Sequence, residues 1–308
     1  MSYGWIGIPH LGRDRVITHQ LAIPIVPQRV VVLGASGFLG RALDARLQAA
    51  SIQTVSLGSA DIDLVLPESV PALCRILTPT DTVVMLAALT PDRGRDAATL
   101  VNNLAMMKHV LIALEEVGCA HFVYFSSDAV YDKAVSRITE TVPASPQDMY
   151  GAMHHAREIM AVGTKMPLLI LRPTLVYGAE DPHSAYGPNR FHRMAEREGK
   201  ITLNGKGEEL RDHIYVADVA ALTVSCLLRR SIGLLNVATG LSTSFHDVAK
   251  RVAACFPQPV DIHETSRTTH ITHRHFDITD LIKAFPSFCF TSLQEGLACA
   301  YSESTGAT

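Results

Sequence analysis

The run Val30 to Gly40, VVVLGASGFLG, constrains this chain more than any other segment. A short unbroken apolar stretch bounded by turn signals reads as a strand buried on both faces. Directly after it, Phe38, Leu39, Leu43 and Leu47 recur at helical spacing, so a strand ends in glycines and a helix opens from them. That arrangement builds a pyrophosphate cradle. Gly34 permits the tight turn, Gly37 lets the main chain approach phosphates with no side chain in the way, and Gly40 lets helix and strand pack closely, while the backbone from Ser36 to Leu39 faces the anion. The spacing is GxxGxxG rather than the commoner GxGxxG, and glycines alone would also suit a plain loop. The strand before them and the helix after them favour a dinucleotide.

The 308 residues, 47% of them hydrophobic, suffice for one large core or two linked ones. A formal charge of −3, with no basic run or aromatic-interleaved patch, argues against nucleic acid and for a small molecule bound in a local cleft. Cys74, Cys119, Cys226, Cys255, Cys289 and Cys299 form no CxxC pair and read as reduced thiols. The first 30 residues carry no signal-peptide pattern and no stretch reads as a bilayer span, so a cytoplasmic protein without a membrane partner is expected. Residues 1–28 precede the first recognisable strand as an extension of unassigned role, either a mobile tail or a segment packed on a partner.

Strands and helices then alternate. Apolar runs predict strands at Arg29 to Leu33, Gln53 to Leu57, Thr82 to Leu86, His121 to Phe125 and Leu168 to Leu171. Helical patterns fall at Arg41 to Ala49, Glu68 to Ile76, Ala97 to Val117 and Tyr150 to Val162. In the third of these helices Leu100, Leu104, Met107, Leu111 and Leu114 form a stripe that suits core packing better than a purely intersubunit face. The fold expected is α/β: a Rossmann doubly wound parallel sheet over residues 29–176 with a smaller C-terminal substrate-binding lobe over 177–308, parts of which return to the core. In that lobe helices are expected near Val216 to Arg229 and Ser244 to Cys255.

Two sites carry chemistry on this sheet. After the strand HFVYF comes Ser126-Ser127-Asp128-Ala129-Val130-Tyr131, which brings hydroxyls out at a carboxyl end of the sheet, where Ser127 can bond a substrate oxygen. Farther on, Tyr150 and His154 lie one turn apart on a helix face, and a phenol beside a base can shuttle a proton. With these residues the chain resembles the extended short-chain dehydrogenase/reductase family, which includes nucleotide-sugar epimerases, dehydratases and 4-ketoreductases; the resemblance covers residues 29–300.

The resemblance implies a set of roles. Gly34, Gly37 and Gly40 with Ser36, Phe38 and Leu39 would hold the cofactor pyrophosphate, Ser56, Gly58 and Ser59 its ribose, and Asp63 with Leu64 its adenine. Ala87, Ala88 and Asn103, with Pro173 and Val176 around Arg172-Pro173 and Tyr177-Gly178, would complete the cofactor site. Ser127, Tyr150 and His154 match the catalytic positions. Thr90, Ser127, Asp128, Asn189, Arg211 within RDHIYVADVA and, more weakly, Arg267 would meet the substrate, the last three at its diphosphate. The family also implies a homodimer through the Ala97 to Val117 and Tyr150 to Val162 helices.

One position departs from the family. A lysine normally stands four residues after the tyrosine, lowering its pKa and bonding the nicotinamide ribose, where this chain has His154. With a reference pKa of about 6.5 an imidazole is mostly neutral at pH 7, so weaker or pH-dependent activation of Tyr150 is expected. Dehydratases follow the hydroxyl residue with Asp-Glu, and here Ala129 replaces the glutamate, which disfavours elimination of water. The expectation is an NAD(P)-dependent nucleotide-sugar epimerase or 4-ketoreductase. A catalytically degenerate dinucleotide-binding regulator, or a ketoreductase of a smaller metabolite, are the other readings.

The stretch Ser56-Leu57-Gly58-Ser59 lacks an acid before Asp61, and with Arg41 nearby this leans to NADP over NAD. His263, His270, His273 and His275 lack the paired spacing of a metal site on a helix and read as solvated or substrate-contacting, so no metal is assigned. Asp218 is read as holding the lobe together. Asp92, Arg93 and Arg95 suit either the mouth of the site or a solvated turn.

Overall fold

The computed structural model describes residues 16–182, 187–267 and 270–306; residues 1–15 of the N-terminal extension lie outside them. The first half of the chain alternates as the apolar runs dictate: β1 (Thr18–His19), β2 (Val30–Leu33), α1 (Phe38–Ala49), β3 (Thr54–Leu57), α2 (Ser69–Ile76), β4 (Thr82–Met85), α3 (Ala97–Val117), β5 (His121–Phe125), the short β6 (Arg137–Ile138), α4 (Met149–Val162) and β7 (Leu168–Pro173). The second half contributes β8 (Leu175–Tyr177), α5 (Pro188–Glu198), β9 (Lys200–Asn204), β10 (Leu210–Tyr215), α6 (Val216–Leu228), β11 (Ser231–Val237), β12 (Ser242–Ser244), α7 (Phe245–Ala253), β13 (Asp261–Thr265), β14 (His275–Phe276), α8 (Thr279–Ala284) and α9 (Leu293–Thr305).

The central sheet runs β1-β11-β7-β5-β4-β2-β3. All of its pairings are parallel except that of β1 with β11. Side chains of β2 divide by parity: Val30 and Val32 enter the core under α1 and α6, Val31 and Leu33 the one under α2 and α3. The strand order reverses at β2, which has β3 on one side and β4 on the other, and this switch point opens a crevice at the carboxyl ends.

By length and composition α3 is apolar enough to cross a membrane, yet it lies in the helical layer with Met107, Val110, Ala113 and Leu114 fully enclosed. From the stripe expected there, Met107, Leu111 and Leu114 are buried and Leu100 and Leu104 half-buried. The passage into the lobe falls within β8, which pairs with β10; α6 then carries the chain back, and β11 rejoins the central sheet beside β7. The lobe has its own core around Phe191, Ile201, Leu203, Phe245, Val248 and Val252. Asp218 accepts the Thr291 amide at 2.9 Å and its hydroxyl at 2.8 Å, tying α6 to the approach to α9.

Residues 16–28 pack along the outer edge of the sheet. His19 places Nδ1 2.8 Å from Ser231 Oγ and Nε2 2.9 Å from the Ala284 carbonyl, and the Ile25 amide donates to Leu228 at 2.7 Å.

Candidate active site

The glycine turn is built as tightly as its spacing predicts. Gly34 has φ +92°, and a Cβ there would lie 2.7 Å from the Ala87 nitrogen at the end of β4. A Cβ on Gly40 would come within 2.3 Å of the Gly34 carbonyl oxygen, so only glycine lets α1 start this close to β2. Gly37 caps α1 without a side-chain bond, which leaves the first amides of the helix free for an anion. These residues fit a dinucleotide pyrophosphate.

Around the adenosine end, the Ser56 hydroxyl donates to Asp44 of α1 and the Gly58 amide donates to Asp61 Oδ2 at 2.8 Å. Arg41 pairs with Glu180 and the Ser36 carbonyl. Both premises of the lean to NADP thus change, because the chain folds a carboxylate back onto the end of β3 and Arg41 has an acidic partner. Asp63 is exposed and accepts the Val65 amide at 3.0 Å, while Leu64 is buried beneath it. Ser59 is exposed, Ala88 half-buried, and Pro173 and Val176 follow one another across the β7–β8 junction. Asn103 clamps the end of β4: its Oδ1 accepts the Leu89 amide at 2.9 Å and its Nδ2 donates to the Leu89 carbonyl at 3.0 Å. The Thr90 hydroxyl donates to Asp92 at 2.6 Å.

The start of α4 is pressed against the turn after β5. A Cβ on Gly151 would sit 2.2 Å from the Ala129 carbonyl oxygen, and Asp148 caps the helix by accepting the Gly151 amide at 2.9 Å. This contact brings Tyr150 close to Ser127, whose hydroxyl favours the ionised form of the phenol and itself accepts the Ala129 amide at 3.2 Å. Burial, reinforced by the carboxylate of Asp128, nevertheless pushes the Tyr150 phenol up to about 12.

His154 lies edge-on beneath the Tyr150 ring, with centroids 4.6 Å apart. Its Nδ1 is 2.7 Å from the Tyr124 hydroxyl and its Nε2 is buried without a partner among the described residues. Burial, aided by the Arg157 charge, pushes the imidazole down to about 3. The pH-dependent activation expected of a titrating imidazole therefore has no basis here, because the ring stays neutral. His155 is half-buried, with Nδ1 3.5 Å from Glu158.

Three groups escaped the sequence reading. Arg157 is fully enclosed; its Nε donates to the Asn103 carbonyl at 2.9 Å, its Nη1 to the Ala87 carbonyl at 3.0 Å, and its Nη2 has no partner among the described residues. Arg274 donates from Nη1 to Asp128 Oδ2 at 3.0 Å and from Nη2 to the Tyr131 carbonyl at 3.0 Å. Glu158 holds Arg172 through bonds of 2.8 and 2.6 Å and accepts the Ser126 hydroxyl at 2.6 Å. Burial would raise the Glu158 carboxyl, but the Arg172 bonds outweigh it and hold it at about 2. For Arg157 and Glu158 the signal available was a charged side chain on an otherwise apolar stretch of helix, whereas Arg274, in the polar loop before β14, carried none.

The expected substrate residues divide. Arg211 bonds Thr272 Oγ1 at 2.8 Å from Nη2 and lies within electrostatic reach of Asp128 and Arg274, so it belongs with Ser127, Asp128 and Tyr150. Asn189 spends its amide on the loop after β8, accepting the Gly178 amide at 3.1 Å and donating to Asp181 at 2.6 Å. Arg267 pairs with Glu208 and donates to the Asn204 carbonyl at 3.2 Å. In the histidine cluster, His273 Nδ1 accepts the Leu210 amide at 3.2 Å and His275 Nδ1 lies 2.9 Å from Ser242 Oγ; among the described residues no group of three or more His, Cys, Asp or Glu is placed to hold a metal.

A doubly wound sheet with a glycine cradle at its switch point, and with Ser127 and Tyr150 close together at its carboxyl edge, is the architecture that the family resemblance implies. A profile of the NAD dependent epimerase/dehydratase family matches residues 30–238, and the chain belongs to that family. It is 28% identical over 151 residues to the dTDP-D-glucose 4,6-dehydratase of Mus musculus, a match spanning 47% of this chain and 42% of that enzyme. It is 28% identical over 206 residues to the N-acetyl-alpha-D-glucosaminyl-diphospho-ditrans,octacis-undecaprenol 4-epimerase of Escherichia coli O157:H7, spanning 62% of this chain and 60% of that enzyme. The chain thus spans about half the length of these curated relatives. A GDP-L-fucose synthetase from Naegleria fowleri solved with NADP shares the fold at a TM-score of 0.81 and 16% identity, over 96% of this chain and 98% of that one.

Proposed function

We propose that the protein is a nucleotide-sugar epimerase or 4-ketoreductase. The observation that carries this reading is the packing of the start of α4 on the turn after β5, which sets Tyr150 beside Ser127 with Arg211, Asp128 and Arg274 around them. Arg211 offers a guanidinium for a diphosphate, and the sugar alcohol or carbonyl lies against Tyr150 and Ser127. A bound nicotinamide supplies or accepts the hydride. In the reductive direction Tyr150 protonates the developing alkoxide and Ser127 stabilises it by donating a hydrogen bond. Dehydration is disfavoured: Ala129 offers no base, and the Asp128 carboxylate is engaged by Arg274.

For the cofactor, Asp44 and Asp61 place negative charge at the end of β3, which repels a 2′-phosphate and favours NAD. A homodimer would use the exposed Val101 and Ile112 of α3 and Met149 and Ile159 of α4; light scattering reads its mass.

The deciding experiment incubates the protein with a panel of nucleotide sugars, with and without reduced cofactor. Net oxidation of the cofactor marks a reductase, and isomer formation without it an epimerase. Tyr150→Phe should lower turnover by roughly 10² to 10⁴-fold while leaving cofactor binding intact. Turnover that survives this change, or nucleotide-sugar binding that is indifferent to Arg211→Met, overturns the assignment.

A further inference from the structure

The site holds a cation that neither the diphosphate clamp nor the serine–tyrosine pair uses. Arg157 follows Tyr150 by seven residues, two turns along α4 on the same face. It is wholly buried and no carboxylate forms an ion pair with it among the described residues: the adjacent Glu158 is taken by Arg172 at 2.6 Å. Two carbonyls accept its hydrogen bonds but do not neutralise its charge. An arginine cannot shed its proton, and an unpaired buried charge is costly to retain without a counterpart.

Its titratable neighbours are two phenols and the imidazole of His154, which its charge helps to keep neutral. The guanidinium carbon stands 5.8 Å from the centroid of the Tyr124 ring, and Tyr150 lies within its electrostatic reach. Tyr124 in turn bonds His154, on which the Tyr150 ring packs. The charges facing Tyr150 from the other elements oppose ionisation: Asp128 from the turn after β5, itself paired with Arg274, and Asp148 from the cap of α4, paired with Lys133 at 3.0 Å.

We propose that Arg157 supplies the fixed positive charge for Tyr150 that the imidazole at position 154 does not, acting from one turn farther along α4. This rests on Tyr150 being the proton donor of the proposed reaction. Arg157 is a positioning and charge-supplying residue rather than one that touches substrate. The neutral His154 is engaged at Nδ1 by Tyr124, and its Nε2, without a partner among the described residues, would be free to meet a hydroxyl of a bound cofactor.

The test needs neither substrate nor cofactor. 3,5-Difluorotyrosine, whose phenol titrates well below that of tyrosine, is placed at position 150 of the full chain and its ionisation followed by fluorine NMR. Arg157→Met and Arg157→Gln should raise its midpoint by about one pH unit or more, whereas Arg157→Lys and His154→Gln should leave it in place. Neutral variants that titrate as the parent does, or a His154→Gln shift as large as theirs, overturn the proposal. Where the neutral variants do not fold, Arg157→citrulline decides: it keeps the shape of the side chain and loses the charge, so a midpoint raised by about one pH unit or more supports the proposal and an unmoved one overturns it. A protein that turns over no nucleotide sugar leaves this result standing, and a flat midpoint leaves the Ser127–Tyr150 chemistry untouched.

Discussion

The Tyr124 hydroxyl and Nδ1 of His154 meet at 2.7 Å in a buried bond between β5 and α4. Burial raises the Tyr124 phenol, so it keeps its proton and donates it to Nδ1, which assigns the remaining N–H of the ring to Nε2. The bond fixes both the tautomer and the orientation of an imidazole that burial has already made neutral.

A ring that does not titrate near neutrality cannot shape the pH dependence there. His154→Gln, which preserves a polar partner without a titrating group, should therefore leave the shape of the pH–rate profile between about pH 6 and 8 unaltered and lower turnover by no more than about tenfold. An inflection near pH 6.5 that disappears in this variant would contradict the neutral assignment.

The Glu158–Arg172 pair predicts a stability effect without a direct part in chemistry. Both side chains are buried and bonded twice, so Arg172→Met strands a carboxylate and should cost about 3–5 kcal/mol in chemical denaturation. Arg172→Met combined with Glu158→Met should recover most of that loss, because no uncompensated charge then remains. Equal losses in the single and double variants would mean that packing, not charge, is what the pair provides.

Stability should fall on the acid side of neutrality. His121, His154 and His213 are pushed down to about 4, 3 and 3 by burial. Below the unfolded value of about 6.5 each is protonated only when unfolded, so stability is full above that value and is lost as pH falls, by up to about 1.4 kcal/mol per unit for each ring. Both nitrogens of His213 are buried without partners among the described residues. The gain from His213→Phe should accordingly be about 2 kcal/mol larger at pH 5 than at pH 7.

Glu140 runs the other way. Burial pushes its carboxyl up to about 7, against the Asn236 amide bond that favours the charge. The folded protein binds this proton more tightly than the unfolded chain does, so stability is lost as pH rises from about 4.5 to 7. Glu140→Gln should stabilise by about 1–3 kcal/mol at pH 8 and by little at pH 4. A gain that does not vary with pH would remove the carboxyl as its cause.

Two glycines of the cradle separate folding from binding. A Cβ at Gly40 meets backbone at 2.3 Å, so Gly40→Ala should disturb the packing of α1 and abolish cofactor binding with it. At Gly37 the nearest atom would be 3.3 Å away, so Gly37→Ala should keep the far-ultraviolet dichroism of the parent and weaken dinucleotide binding by about tenfold in calorimetric titration.

The central architecture was legible because parallel strands buried on both faces must be continuous apolar runs: His121–Phe125 and Ala97–Val117 are found at their expected bounds, and the remaining core elements within a few residues. The family resemblance implied that Ser127 and Tyr150 belong together, and the packing of α4 on the turn after β5 sets the two close. Arg157 was not, since a lone arginine two turns beyond a tyrosine reads as a solvated side chain until the carbonyls of Ala87 and Asn103 close over it. Asp61 was missed as a neighbour of the β3 end for a similar reason: distance along the chain concealed a reversal that returns its carboxylate to the Gly58 amide. In the lobe, β9, β10 and β13 are short strands whose partners lie far apart in sequence, so local pattern carried little of their pairing.

The antiparallel strand at Thr18–His19 is the outermost member of the central sheet and covers the flank of β11 that would otherwise present unsatisfied amides and carbonyls. A preparation trimmed to begin at Arg29 would bare that flank as a template for strand addition by a neighbouring molecule. Residues 16–28 are in this respect a guard against self-association, and their removal should show first in shelf life and turbidity, well before any change in catalysis.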